Sequence, residues 1–199
     1  MHSRHWVVMA ALVLALGTIG PAAFADTNLL TNGSFSSPSD FSGWTQGGNT
    51  GATAVVGDGF DGFDSEDGDG FHAALGPVGS DGTLSQSFSD VSGQDYTFSF
   101  WYGSDGDQPN DFSALWDGTV LLSIVDGPST DGEWLNFSVP ETGTGSDSIE
   151  FIFRNDPGYE ALDNVSVAGV SPIPEPSSFL LMGSGLLGLA GAVRRKFRN

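Results

Sequence analysis

Ten short runs of alternating, β-branched or aromatic residues, punctuated by glycine and aspartate turns, govern what residues 26–171 can become. They are Asn28–Phe35, Thr53–Gly57, Phe71–Leu75, Thr83–Phe88, Tyr96–Tyr102, Phe112–Trp116, Val120–Val125, Trp134–Val139, Ile149–Arg154 and Asp163–Val167. A period of two sends successive side chains to opposite faces of a strand, and nothing in this region carries the spacing of a helical stripe. Gly79-Ser80-Asp81-Gly82, Ser92-Gly93-Gln94, Asp117-Gly118, Asp131-Gly132 and Thr142–Ser146 supply turn chemistry between the runs. Short strands at this spacing predict an all-β domain, a two-sheet antiparallel β-sandwich of jelly-roll type.

Alternation also assigns faces. Tyr96, Phe98, Phe100 and Tyr102 are expected in the core, as are Leu135, Phe137, Val139, Ile149, Phe151 and Phe153. The opposite faces then carry Trp101, Trp134, Asn136, Glu150, Ile152 and Arg154. Trp101, Trp134, Asn136 and Arg154 are the candidate glycan-binding set, provided that their strands are neighbours. Indole rings stack on sugar rings, while the amide and guanidinium bond hydroxyls.

Charge narrows the partners. The chain has 25 acidic and 6 basic residues, for a formal charge of −19. All the carboxylates fall between Asp26 and Glu175, where Arg154 is the sole basic residue. Such a surface repels phosphate backbones and gains nothing from counterion release, so nucleic acid is not an expected partner. The chain has no cysteine, which removes disulfides, thiolate nucleophiles and thiolate metal ligands together.

The two ends are apolar. Arg4, the run Trp6–Ile19 and Ala23-Phe24-Ala25 read as an export signal over residues 1–25, a helix cut after Ala25 by signal peptidase within the secretion machinery. At the other end, Pro174-Glu175-Pro176 precedes an apolar run, Phe179–Val193, and a basic cluster of Arg194, Arg195 and Lys196. The expected element there is a hydrophobic helix over 179–193, marginal in length for a permanent span, with its basic tail held in the cytoplasm.

Tripeptide, apolar run and basic end, in that order over residues 172–199, resemble the PEP-CTERM sorting signal of Gram-negative bacteria that make extracellular polysaccharide. The resemblance implies that an exosortase recognises Pro174, Glu175, Pro176 and the basic cluster, cuts near the tripeptide, and delivers residues 26–171 to the cell surface or matrix after transient inner-membrane anchoring.

A second resemblance covers residues 28–168. Asn28–Phe35 with Gly43-Trp44, the closing Leu162–Val167, and a central hairpin expected of Leu84–Phe88 and Tyr96–Phe100 are similar to the galactose-binding-like carbohydrate-binding-module sandwich. That family often holds a structural calcium between its first and last strands. The resemblance therefore implies calcium as a candidate cofactor, with Asp163 and backbone oxygens near Phe35 as ligands, although Ser36 replaces the usual glutamate. The acidic stretch Asp58–Asp69 departs from EF-hand spacing and is read as a solvated loop.

Catalysis has little support. His72 is the single histidine between the ends, no Gly-x-Ser-x-Gly elbow or His-Glu-x-x-His occurs, and the region lacks lysine. The expectation is an exported, exosortase-sorted protein that associates with extracellular polysaccharide. A matrix protein with no specific glycan site and a polysaccharide-acting enzyme are the alternatives.

Overall fold

The computed structural model describes residues 27–36 and 40–170, and ten strands run through them. In chain order these are β1 (Thr45–Gly48), β2 (Thr53–Gly57), β3 (Phe71–Leu75), β4 (Gly82–Ser89), β5 (Asp95–Ser104), β6 (Asn110–Trp116), β7 (Thr119–Val125), β8 (Leu135–Thr142), β9 (Ser146–Asn155) and β10 (Glu160–Gly169). All belong to one compact unit, Ala25–Ser171. The expected signal peptide, the helix over 179–193 and the basic tail lie outside the described residues. Among the described residues no helix is long and apolar enough to cross a membrane.

The strands form two five-stranded antiparallel sheets, sheet I in the order β1-β4-β9-β6-β7 and sheet II in the order β2-β3-β10-β5-β8. Between them lies an aromatic core. Phe98, Phe100 and Tyr102 of β5 face Phe112 of β6 and Phe151 of β9, with ring centroids 5.1 Å apart for Phe100–Phe151 and 4.6 Å for Tyr102–Phe112. Each fully buried ring of this kind contributes about 1.5–3 kcal/mol, which is how a chain without disulfides holds two sheets together. The Asp117-Gly118 turn joins β6 to β7 with positive φ at both residues, 46° and 74°, the backbone that Asp-Gly favours in a two-residue hairpin.

Three expectations change. Asn28–Phe35 is not a strand. Its backbone turns through positive φ at Asn32 and Phe35, and side-chain amides replace much of the ladder. Asn28 Oδ1 accepts from the Leu30 and Val167 amides while its Nδ2 donates to Val165 O; Gln86 pairs with both backbone groups of Thr31. The segment still buries Leu30 and Phe35. Its place at the sheet edge is taken by β1, a short strand with no apolar alternation that pairs with β4. Secondly, Leu84–Phe88 and Tyr96–Phe100 do not form a hairpin, because β4 lies in sheet I and β5 in sheet II. Thirdly, Leu135 is 44% exposed and Phe137 and Val139 are half-buried, since β8 is an edge strand whose inner face is only partly covered.

Candidate functional site

The inner faces are committed to the core, so a ligand must be met on an outer face, at a loop or at the open side of the sandwich. On the outer face of sheet II, register places Trp101 of β5 directly between Asp163 of β10 and Asn136 of β8. One step along, Ser99 sits between Ser166 and Ser138. Trp101 is half-buried, makes no contact with another aromatic ring, and its indole N–H has no acceptor among the described residues. The hydroxyls of Ser99, Ser138 and Ser166 are likewise uncommitted, and the Asn136 amide makes one long bond, 3.4 Å, to Phe100 O. An accessible ring bordered by unspent hydroxyls and an amide is chemically suited to a sugar, whose C–H face packs on the ring while its hydroxyls bond around it.

Asp163 shapes one side of this platform. A register shift between Asp163 and Ser166, with Asn164 at φ 50°, turns both Asp163 and Asn164 away from the core while returning Val165 to it. Asp163 Oδ2 accepts the Glu66 amide at 2.8 Å and Oδ1 accepts the Asn164 amide at 2.7 Å; Asn164 Nδ2 donates to Glu66 Oε2. Burial pushes the Asp163 carboxyl up to about 7. Both of its oxygens accept backbone N–H groups, as in a structural acceptor, while the nearby Asp67 and Asp69 carboxylates add to the upward shift. Among the described residues no group of three or more His, Asp or Glu is placed to hold a metal ion.

The loop that supplies Glu66 runs from Asp58 to Gly70, and here solvation accounts for only half of its character. Asp58, Asp61, Asp64, Asp67 and Asp69 are exposed, as expected, but Phe63 and Ser65 are buried against sheet II. Phe63 packs on Trp134 at 5.2 Å and lies against Gly103, where a Cβ would come within 2.2 Å of its ring. Trp134 also donates its indole N–H to Asp64 O at 2.9 Å. His72 completes this group, 5.8 Å from Trp134, with Nδ1 buried and unpartnered and its pKa lowered by desolvation. Trp134 therefore clamps a loop and is removed from the glycan-binding set. Gly103 and Asn164 carry no signal of this role in the sequence, and Phe63 only that of a Gly-Phe pattern in an acidic stretch.

Arg154 is also removed. It lies on β9 in sheet I, and its guanidinium pairs with Asp156 rather than with Glu150. The predicted set thus divides: Trp101 and Asn136 are cross-strand partners, Trp134 serves the loop, and Arg154 belongs to the other sheet. The recognition residues Pro174, Glu175, Pro176, Arg194, Arg195 and Lys196 lie outside the described residues.

A concavity of about 220 Å³ opens between the edge strands β7 and β8, with Tyr102, Ile124, Pro128 and Leu135 among its lining. The Tyr102 hydroxyl donates to Glu160 Oε1, and burial raises the Glu160 carboxyl well above its ordinary range. Glu160 points inward and Asp163 outward from β10, so the two most perturbed carboxyls do not face a common substrate position.

Residues 172–196 match the PEP-CTERM protein-sorting motif. That motif marks an exported protein bound for the cell surface through exosortase processing. The sequence matches none of the curated proteins. Among solved structures, the TmCBM61 module in complex with β-1,4-galactotriose is similar at TM-score 0.56 and 18% identity, covering 71% of this chain and 97% of that one. The CBM22-1 xylan-binding domain of Paenibacillus barcinonensis Xyn10C gives 0.51 and 17%, covering 76% and 100%. The K3 adhesin domain of Lys-gingipain from Porphyromonas gingivalis gives 0.50 and 15%, covering 72% and 99%. At such identity the likeness establishes the fold, a carbohydrate-binding-module-like jelly roll, and no ligand.

Proposed function

We propose that the protein is an exported surface or matrix protein that holds extracellular polysaccharide on the outer face of sheet II, without catalysing its turnover. The observation that carries this reading is Trp101, an accessible ring with a free indole N–H, set among Asn136, Ser99, Ser138 and Ser166. The ring supplies stacking area, and the small polar side chains bond hydroxyls without a large ordering cost. The solved relatives named for β-1,4-galactotriose and xylan support a glycan as the ligand class.

The test is a glycan array on residues 26–171, in wild-type form and as Trp101→Ala, run with calcium and with a chelator. Retention by the wild type that Trp101→Ala abolishes, at an unchanged unfolding midpoint, supports the site. Equal binding in the chelated array assigns the contact to ring and hydroxyls alone, whereas loss there restores calcium as a bridge between an acidic domain and an acidic glycan. No retention of any glycan favours the purely structural matrix protein. Release of reducing ends from a retained glycan would favour the enzyme.

A further inference from the structure

The outer face of sheet II sets carboxylates beside its accessible ring. Gly103 lies on the same face of β5 as Trp101, and Phe63, seated on Gly103, lays the Asp58–Gly70 loop alongside the indole. Across the ladder Asp163 stands opposite Trp101 and accepts the Glu66 amide, and its carboxyl is raised by burial and further by Asp67 and Asp69. Cross-strand partners of this kind have Cβ atoms about 5 Å apart. Glu66, Asp67 and Asp69 are thus brought to one border of the platform, Glu66 half-buried and the two aspartates exposed.

No positive side chain answers them. Burial, with the Asp69 and Glu66 carboxylates beside it, raises the Asp67 carboxyl. Asn164 meets Oε2 of Glu66 with a neutral amide. Residues 26–171 hold a single Lys or Arg, Arg154, whose guanidinium pairs with Asp156 and belongs to the other sheet. The carboxylates are not spaced to close round a metal ion, since no group of three or more such side chains is so placed among the described residues. What is left is a repulsion that a larger cation relieves, one that carries its charge on several N–H bonds and has a C–H surface to lay on the ring.

We propose that the glycan held at Trp101 bears protonated amino groups, as in a polysaccharide of de-N-acetylated amino sugars. This rests on the reading of Trp101 as a glycan platform and names the class of glycan that it takes. An ammonium on a sugar carbon meets the indole by cation–π attraction and the carboxylates by charge-assisted hydrogen bonds, while the C–H groups stack as in a neutral sugar. A uronate or sulfated chain brings like charge to a border with no cation to receive it. The residues that attract the amine therefore also turn the acidic glycan away.

The experiment measures retention of oligosaccharides by residues 26–171 at pH about 6, where such amines are protonated. Salt is held at about 0.15 M, so that charges more than about 8 Å apart are largely screened. The oligosaccharides are glucosamine and galactosamine oligomers, each free and N-acetylated, with galactan, xylan and polygalacturonate oligomers. The free amines are expected to bind about tenfold tighter than their N-acetylated counterparts and to be lost in Trp101→Ala. Glu66→Gln with Asp67→Asn and Asp69→Asn keeps the acceptor oxygens that the loop uses. That variant is expected to weaken the free amines about five- to tenfold at an unchanged unfolding midpoint, and to leave the N-acetylated forms as they were. Asp81→Asn with Asp117→Asn and Glu150→Gln removes the same charge from sheet I and its turns, and is expected to shift neither form by more than about twofold. Equal weakening by the two triple variants overturns the proposal, because attraction to total charge is then all that is measured. N-acetylated, neutral or acidic glycans that bind at least as tightly as the free amines also overturn it, and leave Trp101 as a platform for another class. Retention of none of these glycans removes the platform itself, and this proposal with it.

Discussion

Sheets I and II have five strands each and bury the same kind of aromatic inner face, yet their outer faces have been put to different uses. Sheet I shows solvent a mixture of Thr83, Ser85, Ser87, Glu150, Ile152 and Arg154, with each charge balanced locally or hydrated. Sheet II is overlaid at one end by the Asp58–Gly70 loop and keeps Trp101 accessible beside it. Of the four described tryptophans, Trp44 and Trp116 go to the core, while Trp101 and Trp134 lie on the outer side of sheet II. Trp134 is spent on holding that loop, which leaves Trp101 as the one outer-face indole among the described residues with no ring or hydrogen-bond partner.

The largest expected effect is on the loop. Phe63→Ala empties a fully buried ring site between Trp134, His72 and Gly103 and is expected to cost about 3 kcal/mol in denaturant unfolding. Ile152→Ser, on the outer face of sheet I, is expected to cost about 1 kcal/mol or less. Comparable losses at the two positions would show that the loop is not a docked element and would erase the asymmetry between the faces.

Much of this was legible in the sequence, and the limits have physical causes. Alternation gave the inner residues of β5 and β9, because a period of two is a property of one strand. Asp-Gly turns gave hairpin geometry for the same local reason. Which sheet a strand joins depends on long-range pairing, so the condition that the strands of Trp101 and Arg154 be neighbours is not legible locally, and the core separates the two. The docking of Phe63 is not legible locally because its neighbours are aspartates, which remain hydrated while one ring is buried. Asn28–Phe35 misled for a different reason, since side-chain amides there do what a strand backbone does elsewhere.

Acidity comes next in size. The folded state raises the Asp163 carboxyl to about 7 from 3.8, and raises Glu160 well above 4.5. The folded protein therefore holds protons that the unfolded chain releases as pH rises above about 4. These groups contribute stability at low pH that is lost as pH rises through their folded pKa values. The unfolding midpoint is expected to rise by about 5 °C between pH 8 and pH 5, then fall in stronger acid as Asp147, held below its usual range by its hydrogen bonds, is protonated. Asp163→Asn should flatten the rise between pH 8 and 5. A midpoint that falls over that interval in the wild type would mean that neither carboxyl is protonated in the fold.

Within the platform, Asn136→Ala is expected to weaken glycan retention about five- to tenfold, read as a shift in half-saturating concentration, without moving the unfolding midpoint. Asn136 is exposed on an edge strand and its amide bond to Phe100 O is long, so little structure depends on it. If the midpoint falls together with binding, Asn136 is holding β8 in place and the platform contracts to Trp101 and the serines.

The smallest effect is expected at the residue that composition makes most conspicuous. Arg154→Gln should leave both glycan retention and the unfolding midpoint unchanged. Its guanidinium is solvent-accessible and pairs with Asp156, whose other oxygen accepts the Gly79 amide, so the aspartate keeps a partner when the arginine is removed. Exposed pairs of this kind contribute little because water and salt already satisfy both charges. The position also lies across the core from Trp101, too far for one sugar ring to touch both. Loss of retention in Arg154→Gln, with Trp101→Ala still binding, would move the site to sheet I and invert the assignment of the two faces.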